Sequence, residues 1–190
     1  MATLFVDKID PQSGTSLEIG SSGDTITIPA GATITNNGTQ TGFGGTNTPA
    51  FFAEISSSTT ITSATATKAP FNSEVYDTNS AYDTSNYRFT VPSGEGGKYR
   101  FTAHLRFYSD ANNGGYVETR YYKNGSTINN DATFQLTNNA TDSIRIACIP
   151  MTITLDLSAG DYIEIYGQMS AGGTIYMLSK SFFEGFKLVE

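Results

Sequence analysis

The chain has 190 residues, a net charge of −7 and a charged fraction of 15%. That length suits one ordinary domain plus a small appendage, and the acidic balance argues against a nucleic-acid partner. The single cysteine, Cys148, excludes an intramolecular disulfide, and 11 Tyr with 12 Phe favour pleated, half-buried surfaces over helices.

The opening MATLFVDKID holds a dense apolar cluster, Leu4, Phe5 and Val6. It has no basic region followed by a long apolar stretch, so it predicts neither a signal peptide nor a membrane span. The triplets beginning at Asn37, Asn124 and Asn139 fit the glycosylation pattern, but an Asn- and Thr-rich chain produces such triplets by composition alone.

The segment SLEIGSSGDTITIPAGATIT sets apolar residues in short alternating pairs: Leu17 with Ile19, Ile26 with Ile28, and Ala32 with Ile34. Gly, Ser and Pro turns separate them. Period-two alternation in short pieces predicts strands with one apolar face. One chain has too few side chains to cover those faces. Three chains wrapped as a β-prism or β-helix have enough, which gives Leu17, Ile19, Ile26, Ile28 and Ile34 as a candidate stalk core. The other reading is a Thr-rich tail that orders only on contact. Residues 38 to 49, GTQTGFGGTNTP, are Gly- and Thr-rich without periodicity and predict a linker, with Phe43 its only large apolar side chain. The predicted division is residues 1–45 as anchor and linker and 46–190 as head.

Beyond the linker the chain predicts consecutive strands and no helix. Residues 71 to 107 place Phe71, Asp77, Tyr82 and Phe89 at fixed offsets, then a Gly-rich turn, then Gly97-Lys98-Tyr99-Arg100-Phe101. Strict alternation in KYRFTAHLRF puts Tyr99, Phe101, Ala103, Leu105 and Phe107 on one face and Lys98, Arg100, Thr102, His104 and Arg106 on the other. Asn124-Gly125 predicts a hairpin, because both central residues of that turn need positive φ. Pro150 marks an edge or bulge in SIRIACIPMTITLDL, a run that also predicts Cys148 as a small core residue. Gly160-Asp161 turns the chain into a strand with Ile163 and Ile165 inward. SKSFFEGFKLV closes the chain.

The Phe71, Asp77, Tyr82, Phe89 and G-x-Y-x-F pattern resembles the signature of the globular heads of complement component one q, relatives of tumour necrosis factor. The Gly160-Asp161 strand and the closing aromatic-Gly-apolar strand are similar to that family's last two strands. The resemblance covers roughly residues 50 to 190. Two departures stand out: Glu95 and Gly96 lengthen the turn, and Ala103 replaces the last aromatic. The resemblance implies an all-β jelly-roll head that assembles as a homotrimer and works by binding rather than catalysis. It also implies that the outer face of the strand bearing Arg100, Thr102 and His104 packs toward a threefold axis; a solvated strand face is the other reading. Basic groups gathered near such an axis would need carboxylates such as Glu118 or Glu164, or water, to offset their repulsion.

The inventory predicts no enzyme, since His104 and Cys148 are single and lack a recognised nucleophile pattern. No metal or cofactor is expected. The loop Asp110-Ala111-Asn112-Asn113-Gly114 lacks the acid count of a calcium loop and predicts an Asx turn. Tyr76, Tyr82 and Tyr116 are candidate surface ligand contacts, although Tyr76, Tyr82, Tyr87 and Tyr116 also suit half-buried rim positions. The leading segment resembles those of tailed-bacteriophage structural proteins. The resulting expectation is a virion surface protein made in the host cytoplasm: a trimeric capsid decoration (cement) protein or short head fibre. Leu4, Phe5 and Val6 would dock it on the major capsid or another virion protein. The competing expectation is a receptor-binding tip that holds host surface glycan or protein.

Overall fold

The computed structural model describes residues 9–38, 47–111, 113–128, 133–137 and 144–188. The chain divides into two units, Met1–Phe43 and Gly44–Glu190.

In the first unit, turns form where Gly and Pro punctuate the sequence. The amide of Asp24 donates to the carbonyl of Ser21 (2.9 Å), and the amide of Ala32 donates to the carbonyl of Pro29 (3.1 Å). Gly20, Gly23 and Gly31 adopt positive φ there. No strand forms within one chain over the described residues of this unit. Leu17, Ile19, Ile26, Ile28 and Ile34 are all between 44% and 61% exposed. Alternation has set the side chains out, but one chain supplies nothing to cover them.

Among the described residues of the second unit, fourteen strands form two layers. They are β1 (Ala50–Glu54), β2 (Thr59–Ile61), β3 (Thr67–Lys68), β4 (Ser73–Asp77), β5 (Tyr82–Asp83), β6 (Arg88–Thr90), β7 (Gly97–Ser109), β8 (Tyr116–Lys123), β9 (Ser126–Thr127), β10 (Thr133–Thr137), β11 (Ile146–Leu157), β12 (Tyr162–Ser170), β13 (Ile175–Met177) and β14 (Phe182–Lys187). The first sheet runs β2-β13-β7-β14-β1-β4, with β11 on the other side of β7. The second runs β10-β8-β12-β6-β5, with β3 on β12 and β9 on β8. All pairings are antiparallel. No helix occurs among the described residues, so none there is long and apolar enough to cross a membrane.

The alternation along β7 holds. Tyr99, Phe101, Ala103, Leu105 and Phe107 are fully buried, and Ile163 and Ile165 of β12 join the same core. The motif residues have separate physical tasks. Phe71 and Phe89 are buried ring fillers. The Asp77 carboxylate accepts the amides of Tyr82 (2.8 Å) and Asn79 (3.2 Å), closing the turn after β4. Tyr82 sits against Phe51 and donates its hydroxyl to the Phe71 carbonyl at 3.0 Å. Asn124 and Gly125 take positive φ between β8 and β9, as a two-residue hairpin requires. Pro150 lies in β11, which among the described residues pairs only with β7, so its missing N–H faces no ladder there. The extra turn residue Glu95 is used twice: its carbonyl accepts the Tyr99 hydroxyl at 2.5 Å, and its carboxylate pairs with Lys187 at 3.0 Å.

Cys148 corrects the sequence reading. Ala147 and Ile149 point inward, so Cys148 stands exposed on the opposite face.

Candidate functional site

The outward face of the first sheet gathers the side chains that the core leaves out. Along β7 these are Arg100, Thr102, His104, Arg106 and Tyr108. Register with β14 sets Phe186 opposite Arg100, Glu184 opposite Thr102 and Phe182 opposite His104. Register with β1 brings Phe52 beside Glu184, and β4 sets Tyr76 beside Phe52. On the other flank, β11 sets Thr154, Thr152, Pro150 and Cys148 opposite Arg100, Thr102, His104 and Arg106.

A continuous aromatic row crosses this face. Ring centroids lie 6.2 Å apart for Tyr76 and Phe52, 5.3 Å for Phe52 and Phe182, and 5.4 Å for Phe182 and His104, the last edge-on. Phe52, Phe182 and Phe186 are half-buried and Tyr76 is 48% exposed. Sequence reasoning missed the row; the signal that could have flagged two of its members is the doubled phenylalanines, Phe51-Phe52 and Phe182-Phe183. Adjacent residues of a strand point to opposite faces, so a doublet puts one ring in the core and one outside. Phe51 and Phe183 are the core members.

Arg100 donates to Thr154 (3.3 Å), and Arg106 donates to the Ser179 carbonyl (3.0 Å). Burial, and then the nearby Arg106 guanidinium, hold the His104 imidazole below its ordinary proton affinity. Glu118 and Glu164 do not neutralise this face. They belong to β8 and β12 of the second sheet, so the expected role fails on topology; Glu184 is the carboxylate that lies among these cations.

One edge of the sandwich is also open. Among the described residues β10 pairs only with β8, and its alternate residues Phe134 and Leu136 are 45% and 44% exposed.

The remaining sequence candidates scatter. Leu4, Phe5, Val6 and Phe43 lie outside the described residues. Tyr82 is corrected as a ligand contact: it is only 6% exposed and its hydroxyl is engaged in the core. Tyr116 is half-buried on β8. In the Asp110 loop, Asp110 Oδ1 accepts the Thr174 amide and Asn113 Oδ1 the Gly172 amide, each at 2.7 Å. These are the oxygens a cation would take. Among the described residues, no group of three or more His, Cys, Asp or Glu is placed to hold a metal ion.

Two facing antiparallel sheets, with β4, β1, β14, β7 and β11 in one and β5, β6, β12, β8 and β10 in the other, make a jelly roll. The fold is that of the complement-component-one-q-like jelly rolls. Among solved structures the chain is similar to the globular domain of zebrafish complement 1qA protein, at 20% identity and TM-score 0.52, over 74% of this chain and 97% of that one. It is also similar to the structure of Eiger TNF from S. frugiperda, at 15% identity and TM-score 0.49, over 73% of this chain and 91% of that one. No family model and no curated protein matches the sequence.

Proposed function

We propose that the chain is a non-enzymatic, homotrimeric surface protein of a bacteriophage particle, a capsid decoration protein or short head fibre. The observation that carries the self-association is the uncovered apolar surface of a single head. An aromatic row through Phe52, Phe182 and Tyr76 lies on one face, and Phe134 and Leu136 stand at an open edge. A face on one copy that receives an edge of the next is a heterologous contact, and it closes as a ring when the rotation suits. Arg100, Thr102 and His104 lie on that face. A single head leaves the row only half-covered, with Tyr76 48% exposed at its end, and connected aromatic surface of this kind is what an interaction face presents.

The leading segment supports the particle role. Leu17, Ile19, Ile26, Ile28 and Ile34 gain cover if three chains intertwine. Leu4, Phe5 and Val6 from each of three chains contribute on the order of 10 kcal/mol to docking before ordering costs. The partner is then a major capsid or other virion protein, and the head projects outward.

The test is to express residues 47 to 190, measure their mass in solution, and offer them to particles lacking the protein. A trimeric head that fails to attach is the expected result. A monomeric head sinks the assembly claim, and a truncated head that decorates normally sinks the anchor claim. Copies spread over the capsid indicate decoration, whereas copies confined to the tail indicate a receptor-binding tip.

A further inference from the structure

The outward face of the second sheet has a different chemistry. β8 presents Tyr116, Glu118, Arg120 and Tyr122; β12 presents Tyr162, Glu164, Tyr166 and Gln168. Register sets Glu118 opposite Gln168, Arg120 opposite Tyr166, and Tyr122 opposite Glu164. Both carboxylates are only 4% exposed although neither faces the core. Glu118 is held by Arg120 and Gln168, and Glu164 by Lys68. Tyr122 and Tyr166 stack with centroids 4.0 Å apart, and the Arg88 guanidinium lies 4.5 Å over the Tyr162 ring. A shallow depression on this face is lined by Ala66, Glu118, Arg120, Tyr166, Gly167 and Gln168.

We propose that this face binds an uncharged oligosaccharide laid along β8 and β12. The proposal gives a site and a ligand class to the glycan-recognition reading and does not rest on the trimer. Three features select the ligand. First, charge balances: Glu118, Glu164 and Asp83 stand against Lys68, Arg88 and Arg120, so a polyanion gains nothing here. Second, the charged groups are already paired, Glu118 with Arg120 and Gln168 and Glu164 with Lys68, so a charged ligand would have to break a pair to gain one, whereas hydroxyls can share these groups as they stand. Third, aromatic rings beside planar carboxylate, amide and guanidinium groups match a molecule with C–H faces and many hydroxyls. The polar groups are already pinned by one another, so little ordering is lost on binding. The platform is also long. Tyr116 stands opposite Ser170, eight residues from Tyr162, a span of roughly 26 Å at about 3.3 Å per residue.

The experiment uses the full chain on an array of neutral glucans, mannans, galactans and xylans, with sialylated and sulfated glycans alongside, followed by titration calorimetry of each hit. Wild type should bind a neutral chain. Tyr166→Ala and Gln168→Ala should each weaken it about tenfold or more, as loss of a contact anchor does. Glu74→Gln, on the other sheet, should leave affinity unchanged. Urea midpoints of the variants check that each is folded, and Tyr166→Phe, which keeps the ring, should retain binding. No neutral ligand, binding only to anionic glycans, or affinity indifferent to Tyr166→Ala and Gln168→Ala each overturns the proposal. Solution mass on the same samples keeps the two ideas apart. A monomer that binds neutral glycan removes the trimer and leaves this site, and a trimer that binds none does the reverse.

Discussion

Single residues show how little slack the core has. A Cβ placed on Gly185 would stand 2.4 Å from Cδ1 of Phe101 and 3.0 Å from Cε1 of Phe51. Both rings are fully buried among other aromatics and have nowhere to retreat. Gly185→Ala should therefore cost about 1–3 kcal/mol through overpacking, and Phe101→Ala about 3–5 kcal/mol through the cavity it leaves. Urea unfolding measures both; a loss under about 1 kcal/mol for Phe101→Ala would break the face assignment of β7. Asp161 offers a titration. Lys123 first, then Asn124 and the Ser158 amide, lower its carboxyl from 3.8 to about 2. The folded state binds this proton less tightly than the unfolded state, so the stabilisation is complete above about pH 4. It is lost as pH falls from 3.8 through about 2, and Asp161→Asn should flatten that part of the acid limb.

At the scale of elements, strands with clean alternation were legible and crowded ones were not. β7 alternates apolar and polar without exception from Lys98 to Arg106, so its parity could be read directly. The run from Ile144 to Met151 carries apolar residues at both parities, and Cys148 could be placed only by the register of β11 on β7. Tyr82 was open between a surface contact and a half-buried rim residue for a related reason. It falls in or beside a loop, and only the fold-specific bond to the Phe71 carbonyl shows that it goes inside. The aromatic row of the first sheet needed β1, β4, β7 and β14 together, and no local window contains that adjacency. Likewise, the Tyr122–Tyr166 stack unites strands far apart in sequence. β10 carries its own prediction. Phe134→Lys and Leu136→Lys alter side chains already about 45% exposed, so the urea midpoint of an isolated head should barely move. In the proposed assembly self-association should fall sharply, because each puts a charge at the edge that a second copy would cover. Equilibrium sedimentation of the two variants decides it, and unchanged mass would remove β10 from the contact.

For the whole molecule, the proposed assembly has an acid limit. His104 faces Phe182 and shares its surface with Arg100, Arg106, Glu184 and Cys148. Its proton affinity is lowered by burial and by Arg106, so the neutral imidazole is the form the fold prefers. Covering the face with another copy removes more water and strengthens that preference. Association should be full above the ordinary histidine range and should weaken as pH falls from about 7 to about 5. His104→Asn should abolish that slope, and light scattering across the range reads it. A flat wild-type profile would mean that His104 lies outside the contact.

The open β10 edge has a consequence in time. In the proposed assembly, a chain released singly carries a strand with one open edge, exposing Phe134 and Leu136, until it meets its own kind. Encounter depends on concentration, whereas off-pathway pairing of strand edges needs only another sticky segment. Slow, dilute synthesis lengthens the exposed interval and favours aggregates; a burst of synthesis shortens it and favours closed rings. Yield of soluble protein should therefore rise with expression rate over the low range, the reverse of the usual experience with aggregation-prone chains.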